Sequence, residues 1–396
     1  MAWLRRATND PSIETTPRSN PIIMIYLYYS EKFQNYNFGP EHPFNPARLM
    51  LAYKLMEEEG LMDGLTCSVE PQPASVEDLQ RVHTQEYIAS VQAEEPDLAF
   101  GLGSDDTPVF PGIYEASRLL AGSSIDAARR IIAEDCSAFN IGGGLHHAMP
   151  TQASGFCVFD DPALAISVLK EGFERILYID IDGHHGDGVQ QIFYEDFDVL
   201  TISMHESGVY LFPGTGFIDE IGAGLGLGYS VNIPMPMYAG DEEYRRAFEE
   251  IVPRLFEWFE PQAVVAQLGV DTHYSDPLTT LNMTLTGYTY LVRRIIELTG
   301  QHAGGRLLAL GGGGYNMEVV PVAWASVLHL LRGEILPEYL PPYWVEFFMN
   351  LVGREPLTLP DIEIKVGSET KKRINAELDV TLQGLKEKVN EIHKVF

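Results

Sequence analysis

Between residues 22 and 332, short apolar runs alternate with longer stretches of helical periodicity, and this alternation limits the fold more than any other feature. The strand-like runs cover residues 22–29, 137–141, 176–182, 199–205, 229–233, 263–269 and 307–310. The stretches between them predict helices over 46–59, 112–134, 162–171, 241–259, 286–299 and 319–331. Asp161 opens one of these, and Gly172 and Gly300 close two. Strands that are apolar throughout are covered on both faces, and helical crossovers join such strands in parallel. The expected class is therefore α/β, with a parallel sheet between layers of helices.

Residues 1–20 are polar with scattered prolines, and a loose tail is expected there. Residues 21–396 are expected to form a single domain, with 333–396 as an extension packed on it. Within that extension, Leu378, Leu382, Leu385, Val389, Ile392 and Phe396 recur at spacings of three and four, the mark of an amphipathic helix. A stripe docked on the body of the protein explains it more simply than a partner-binding helix.

The net charge of −29 makes nucleic acid an unfavourable partner. It either keeps the chain soluble or attracts cationic ligands. The three cysteines are odd in number and widely spaced, which suits a reducing cytoplasm better than a disulfide scaffold. The apolar run at 21–29 is too short to span a membrane and lacks a signal-peptide layout. Cytoplasmic location without a membrane partner is expected.

Polar residues collect where the apolar runs end. After the run at 176–179 comes Asp180-Ile181-Asp182-Gly183-His184-His185-Gly186-Asp187-Gly188. Strand alternation points Asp180, Asp182 and His184 the same way. Asp182 and His184 offer oxygen and nitrogen ligands for a divalent ion. Asp271, after the run ending at Leu268 and Gly269, is placed to be the third ligand, although an Asp there also suits a helix cap or turn. Three glycines at 142–144 precede His146 and His147, a tandem pair suited to proton transfer. Four glycines at 311–314 precede Tyr315, whose phenol suits donation to an oxyanion on a mobile loop; phosphate binding or plain flexibility are the alternatives. Phe156 and Phe212 stand beside flexible turns and would wall a narrow apolar channel or pack in the core.

In this order, the motifs resemble the zinc-dependent histone deacetylase family. They are His-Pro-x-x-Pro-x-Arg at 42–48, the tandem histidines, Ser-Gly-Phe-Cys at 154–157, the Asp180–Gly188 stretch, Phe-Pro-Gly-Thr-Gly at 212–216, Gly-x-Asp at 269–271 and Gly-Gly-Gly-Gly-Tyr at 311–315. Within the family, the chain is most similar to acetoin-utilisation-type prokaryotic deacetylases. The resemblance implies the three-layer arginase/deacetylase fold with a central eight-stranded parallel sheet. It implies Zn²⁺ or Fe²⁺ on Asp182, His184 and Asp271. It assigns His147 with Asp187 as general base, His146 with Asp180 as electrostatic partner or acid, and Tyr315 to the acyl carbonyl. Phe156 and Phe212, with Gly155, would flank the acyl-lysine stem, and Arg48 would line an inner acetate channel. Asp106, or its neighbour Asp105, would hold the substrate backbone at the rim. K⁺ or Na⁺ would sit on Asp180, Asp182, His184, Ser203 and Met204. His273 stands where ureohydrolases of this fold carry another Asp for a second manganese, which favours one metal and amide hydrolysis.

The expected activity is removal of acetyl or short acyl groups from the ε-amine of lysine in proteins, giving acetate and free lysine. The partner is an acetylated protein or peptide, with acetyl-CoA synthetase as the target suggested by the acetoin-utilisation resemblance. Two rivals stand beside it: a deacetylase of small acetylated amines such as acetylpolyamines, which the acidic charge would favour, and a non-catalytic binder of acyl-lysine.

Overall fold

The computed structural model describes residues 24–358, 361–362 and 364–396. The expected tail over 1–20 and the start of the 22–29 run lie outside them. Eight strands form one sheet: β1 (Ile25–Tyr28), β2 (Thr66–Val69), β3 (Ser137–Asn140), β4 (Ile176–Asp180), β5 (Val199–Glu206), β6 (Ser230–Met235), β7 (Ala263–Gln267) and β8 (Leu307–Leu310). Their order is β2-β1-β3-β8-β7-β4-β5-β6, and every pairing is parallel. This is the eight-stranded sheet that the family resemblance implies. Strand β2 gave no signal in the sequence: Thr-Cys-Ser-Val is short, lies at the sheet edge and buries only Thr66. The central strands β3, β4, β7 and β8 are buried along their whole length, as expected for strands covered on both faces.

The helices are α1 (Ala47–Glu58), α2 (Val76–Leu79), α3 (Gln85–Ala93), α4 (Ile113–Glu134), α5 (Asp161–Leu169), α6 (Asp187–Ile192), α7 (Asp241–Phe259), α8 (Leu285–His302), α9 (Val320–Leu331), α10 (Pro342–Val352) and α11 (Ser368–Ile392). Helices α4 and α5 pack together in one layer, and α1, α9, α8 and α7 follow one another in the other. In α11, Ile374, Leu378, Leu382, Leu385 and Val389 form a buried stripe against α7 and β6. That helix begins at Ser368, earlier than the apolar recurrence indicates, because its first turn carries Lys371, which pairs with Glu242 at 2.8 Å, instead of apolar residues. The helix expected to open at Asp161 is capped one residue earlier, by Asp160, whose Oδ1 accepts the Ala163 N–H at 2.7 Å.

After β3 the chain skips two strand positions before laying down β4, and β8 and β7 later fill the gap. The order in which strands are added reverses there, β4 leading on to β5 and β7 the other way to β8, and ligands bind at such a point, outside the carboxyl ends of the strands. The loops that follow β3, β4, β7 and β8 therefore meet over the middle of the sheet.

Candidate active site and metal centre

Strand β4 ends at Asp180, so Asp182 and His184 stand on the loop beyond it and strand alternation does not carry them. Asp182, His184 and Asp271 each present one donor atom, and these atoms lie within 4.8 Å of one another. His184 Nδ1 is 2.8 Å from Asp271 Oδ2 and 3.3 Å from Asp182 Oδ1. All three are buried. Burial alone would lower the affinity of His184 for a proton, yet the Asp271 and Asp182 carboxylates hold it well above the ordinary imidazole range. The pocket therefore calls for positive charge. Two carboxylate oxygens and one imidazole nitrogen are the donor set of a catalytic Zn²⁺ or Fe²⁺ site, so the residues fit a divalent ion.

The surroundings hold this cluster in place. Asp182 Oδ2 accepts the Gln267 side-chain amide at 2.7 Å and the Gly313 N–H at 2.8 Å. Asp271 Oδ1 accepts the Gly183 N–H at 2.5 Å. A Cβ on Gly313 would lie 2.4 Å from Asp271 Oδ2, so only glycine allows the loop after β8 to come this close. The same loop departs from the expectation of mobility. Gly311 N–H bonds to Asn140 O, Gly312 N–H to Gly143 O, Arg48 Nη1 to Gly314 O at 2.6 Å, and Tyr315 N–H to Asp276 Oδ2 at 2.8 Å. Its glycines serve close approach to neighbouring chain, and the loop is tied along its length.

His146 and His147 lie beside this cluster, their ring centroids 4.1 Å apart. His146 Nδ1 is 2.7 Å from Asp180 Oδ2, and His147 Nδ1 is 2.6 Å from Asp187 Oδ1. Carboxylates accept, so each Nδ1 carries the proton and each Nε2 is turned the other way. The two imidazoles are driven apart electrostatically. For His146, burial lowers the pKa, but Asp180 and Asp182 outweigh it and raise the value to about 9. For His147, burial and the charge of His146 prevail over Asp187 and lower it. Tyr178 donates its hydroxyl to Asp180 Oδ2 at 2.6 Å and steadies the first pair.

Aromatic rings form the mouth. Phe212, 46% exposed, stands edge-on to His147 with centroids 5.1 Å apart. Phe156 meets the edge of Tyr315 at 5.7 Å. Gly155 lies against the His147 ring, where a Cβ would come within 2.3 Å of it. Asp106 Oδ2 accepts the Gly155 N–H at 2.8 Å, so of the two rim acids it is Asp106 that grips this loop. Arg48 is buried between Phe44 and Trp324, and its Nε has no hydrogen-bond partner among the described residues.

Asp180 and Ser203 are register partners on β4 and β5, and Met204 follows. His205 Nε2 must donate to the Gly216 carbonyl (3.0 Å), so its Nδ1 accepts the Ser203 hydroxyl at 2.8 Å. The lone pairs of Ser203 Oγ remain free, which suits an oxygen-ligated monovalent cation.

Several working parts carried no sequence role. Gln267 is a polar residue ending an apolar strand, and that anomaly was its signal. Asp276 and Asp161 give no local signal of what they hold: Asp161 accepts the Gly144 and Leu145 N–H groups at 3.0 and 2.8 Å. Asp160, whose second oxygen is buried without a partner among the described residues, serves as the cap of α5.

The fold and site together define a hydrolase of the arginase/deacetylase type with one buried Asp/His/Asp cluster. The profile of the histone deacetylase domain matches residues 42–331. The chain is 43% identical to the acetoin utilization protein AcuC of Bacillus subtilis over 328 residues, covering 80% of this chain and 84% of that one. It is 39% identical to the histone deacetylase clr6 of Schizosaccharomyces pombe over 327 residues, covering 80% and 79%. The crystal structure of an HDAC homolog from Aquifex aeolicus superposes with a TM-score of 0.79 at 32% identity, covering 89% of this chain and 99% of that one. The chain belongs to the histone deacetylase family. Membership implies a catalytic metal, and among the described residues Asp182, His184 and Asp271 form a cluster that could hold one.

Proposed function

We propose that this protein is a metal-dependent lysine deacetylase, releasing acetate or a short acylate from the ε-amine of lysine in proteins. The observation that carries the proposal is the convergence of two His–Asp pairs on one Asp/His/Asp cluster beneath the ring edges of Phe156, Phe212 and Tyr315. Residues 21–396 act as one deacetylase domain, with 333–396 packed on it. The free thiols of Cys67, Cys136 and Cys157 support a reducing, cytoplasmic setting. Among the described residues no helix is long and apolar enough to cross a membrane.

Zn²⁺ or Fe²⁺ on Asp182, His184 and Asp271 would supply Lewis acidity toward the acyl oxygen and acidify water for attack. His147 takes the proton of the attacking water at Nε2, while Asp187 fixes its Nδ1–H. The hydroxyl of Tyr315 donates to the acyl oxygen as negative charge develops there, and a donor already aimed needs little reorganisation. His146, paired with Asp180, serves as electrostatic partner or acid on the same side. A protonated histidine then passes its proton to the departing lysine amine, which would otherwise leave poorly. Phe156 and Phe212 suit the apolar lysine stem, Arg48 the inner end of the channel, and Asp106 the substrate backbone. K⁺ or Na⁺ on Asp180, Asp182, His184, Ser203 and Met204 would brace the loop after β4.

The charge of −29 favours a second reading, a small acetylated polyamine as substrate. Protein reconstituted with Zn²⁺ or Fe²⁺ and assayed on acetyl-lysine peptides and acetylpolyamines separates the two. Faster turnover of the peptide is expected. Turnover of the polyamine alone would move the function to small amines, and no turnover of either would leave a binding protein. An acetylated acetyl-CoA synthetase, the target suggested by the acetoin-utilisation relatives, is the first protein substrate to test.

A further inference from the structure

A line of part-buried hydrogen bonds runs from the segment after α10 to the loop that carries Tyr315. Asp361 Oδ2 is 3.0 Å from His273 Nε2. His273 Nδ1 is 2.8 Å from Ser275 Oγ, which is 2.7 Å from Asn316 Nδ2. Asn316 Oδ1 accepts the Glu318 N–H at 2.9 Å, so the amide orientation is set and its nitrogen faces Ser275. An amide nitrogen only donates and a carboxylate only accepts. The polarity therefore has one solution: Asn316 donates to Ser275, the Ser275 hydroxyl to His273 Nδ1, and His273 Nε2–H to Asp361.

A structural role for Asp361 in capping α8 explains less. Its Oδ2 does accept the Leu285 N–H at 2.8 Å, but Thr284 already caps α8, accepting the Thr286 and Gly287 N–H groups. The Asp361 side chain is fully buried, and its Oδ1 has no hydrogen-bond partner among the described residues. A cap needs only the bond to Leu285, whereas the second bond, to His273, ties the same carboxylate to the loop after β7. The same segment also grips the loop elsewhere: the Leu357 N–H bonds to Glu318 O at 3.0 Å, and Arg354 pairs with Glu318 at 3.1 Å.

We infer that Asp361 is a positioning residue for Tyr315, acting through His273, Ser275 and Asn316, so that the segment between α10 and α11 sets the placement of the catalytic phenol. This rests on the reading of Tyr315 as the oxyanion donor. Misplacing a donor by a fraction of an ångström slows chemistry without changing what binds. The residue beside the donor is Asn316, whose carbonyl also accepts the Val319 and Val320 N–H groups at the start of α9. The relay thus fixes the far end of a loop whose near end is fixed by Asp182 and Arg48.

The test uses the full chain loaded with Zn²⁺ and an acetyl-lysine peptide, with Asp361→Ala, Asp361→Asn and Ser275→Ala made alone and with Tyr315→Phe. Ser275→Ala breaks the relay without touching α8. We expect Asp361→Ala and Ser275→Ala each to lose about tenfold in kcat, with KM within about twofold and metal content unchanged. Hydrogen exchange should rise in residues 311–318. Asp361→Asn should keep most of the rate, because both bonds made by Asp361 fall on a single oxygen. In the Tyr315→Phe background neither alanine variant should cost more than about twofold further. Full kcat in both alanine variants, or a loss that persists undiminished behind Tyr315→Phe, overturns the inference. Full kcat in Tyr315→Phe alone is a separate result; it removes the donor reading and the inference with it.

Discussion

The carboxylate of Asp161 accepts the backbone N–H of Leu145 at 2.8 Å, so the first turn of α5 holds the loop that presents His146 and His147. Gly144 N–H and the Ser124 hydroxyl converge on the same carboxylate. Asp161→Ala would leave all three donors buried without an acceptor, at about 1–3 kcal/mol each. A large fall in the urea midpoint is expected, together with a lower kcat as the histidine loop relaxes. A stability loss below about 0.5 kcal/mol would show that the loop is held by other contacts.

Acid should weaken the fold through His83. Its Nε2 accepts the Asp160 N–H at 3.0 Å and its Nδ1 donates to the Met149 carbonyl at 3.1 Å, so the buried ring has no place for a second proton. Burial lowers its pKa from 6.5 to about 4. Between these values the unfolded chain binds the proton and the folded one does not, so stability is lost as pH falls from 6.5 towards 4, by up to about 3 kcal/mol. His83→Gln removes this titration and should flatten the slope in urea unfolding across that range. Parallel slopes for parent and variant would refute the assignment.

His147→Ala should lose on the order of 10²–10⁴ in kcat with little change in KM, because the base acts only as water attacks. Turnover within about threefold of the parent would take His147 out of that role.

Tyr315→Phe keeps the ring against Phe156 and removes only the donor. A barrier increase of about 2.7–4 kcal/mol is expected, with metal content and melting temperature near those of the parent. Normal turnover with full metal would make Tyr315 scaffolding.

Metal should bind in a ratio of one per chain and stabilise the fold. Chelator-treated protein titrated with Zn²⁺ to about a hundredfold over Kd should gain about 2.7 kcal/mol. Asp271→Asn should lose most of that response. Two stoichiometric transition metals by elemental analysis would contradict a single Asp182, His184 and Asp271 site.

The parts of this protein that could be read along the chain are those whose physics is local. Apolar runs such as 263–267 gave strands, helical periodicity gave α4 and α7, and Asp182 and His184 stood out because side chains of that chemistry follow a strand into glycines. Strand β2 and helix α2 were not legible, since β2 buries only Thr66 and α2 only Leu79, too little to leave an apolar pattern. Which residues meet is a different matter. Asp271 reaches His184 because β7 lies beside β4, and Gly313 reaches both carboxylates because β8 lies beside β7. Periodicity says which face of a strand is buried but not which strand is its neighbour. Hydrophobic burial is non-directional, and strand order is decided by how the crossover helices pack. For the same reason Gln267, Asp161 and Asp361 acquire their partners only in the folded chain, where hydrogen bonds join residues that sequence separates by 85, 16 and 88 positions.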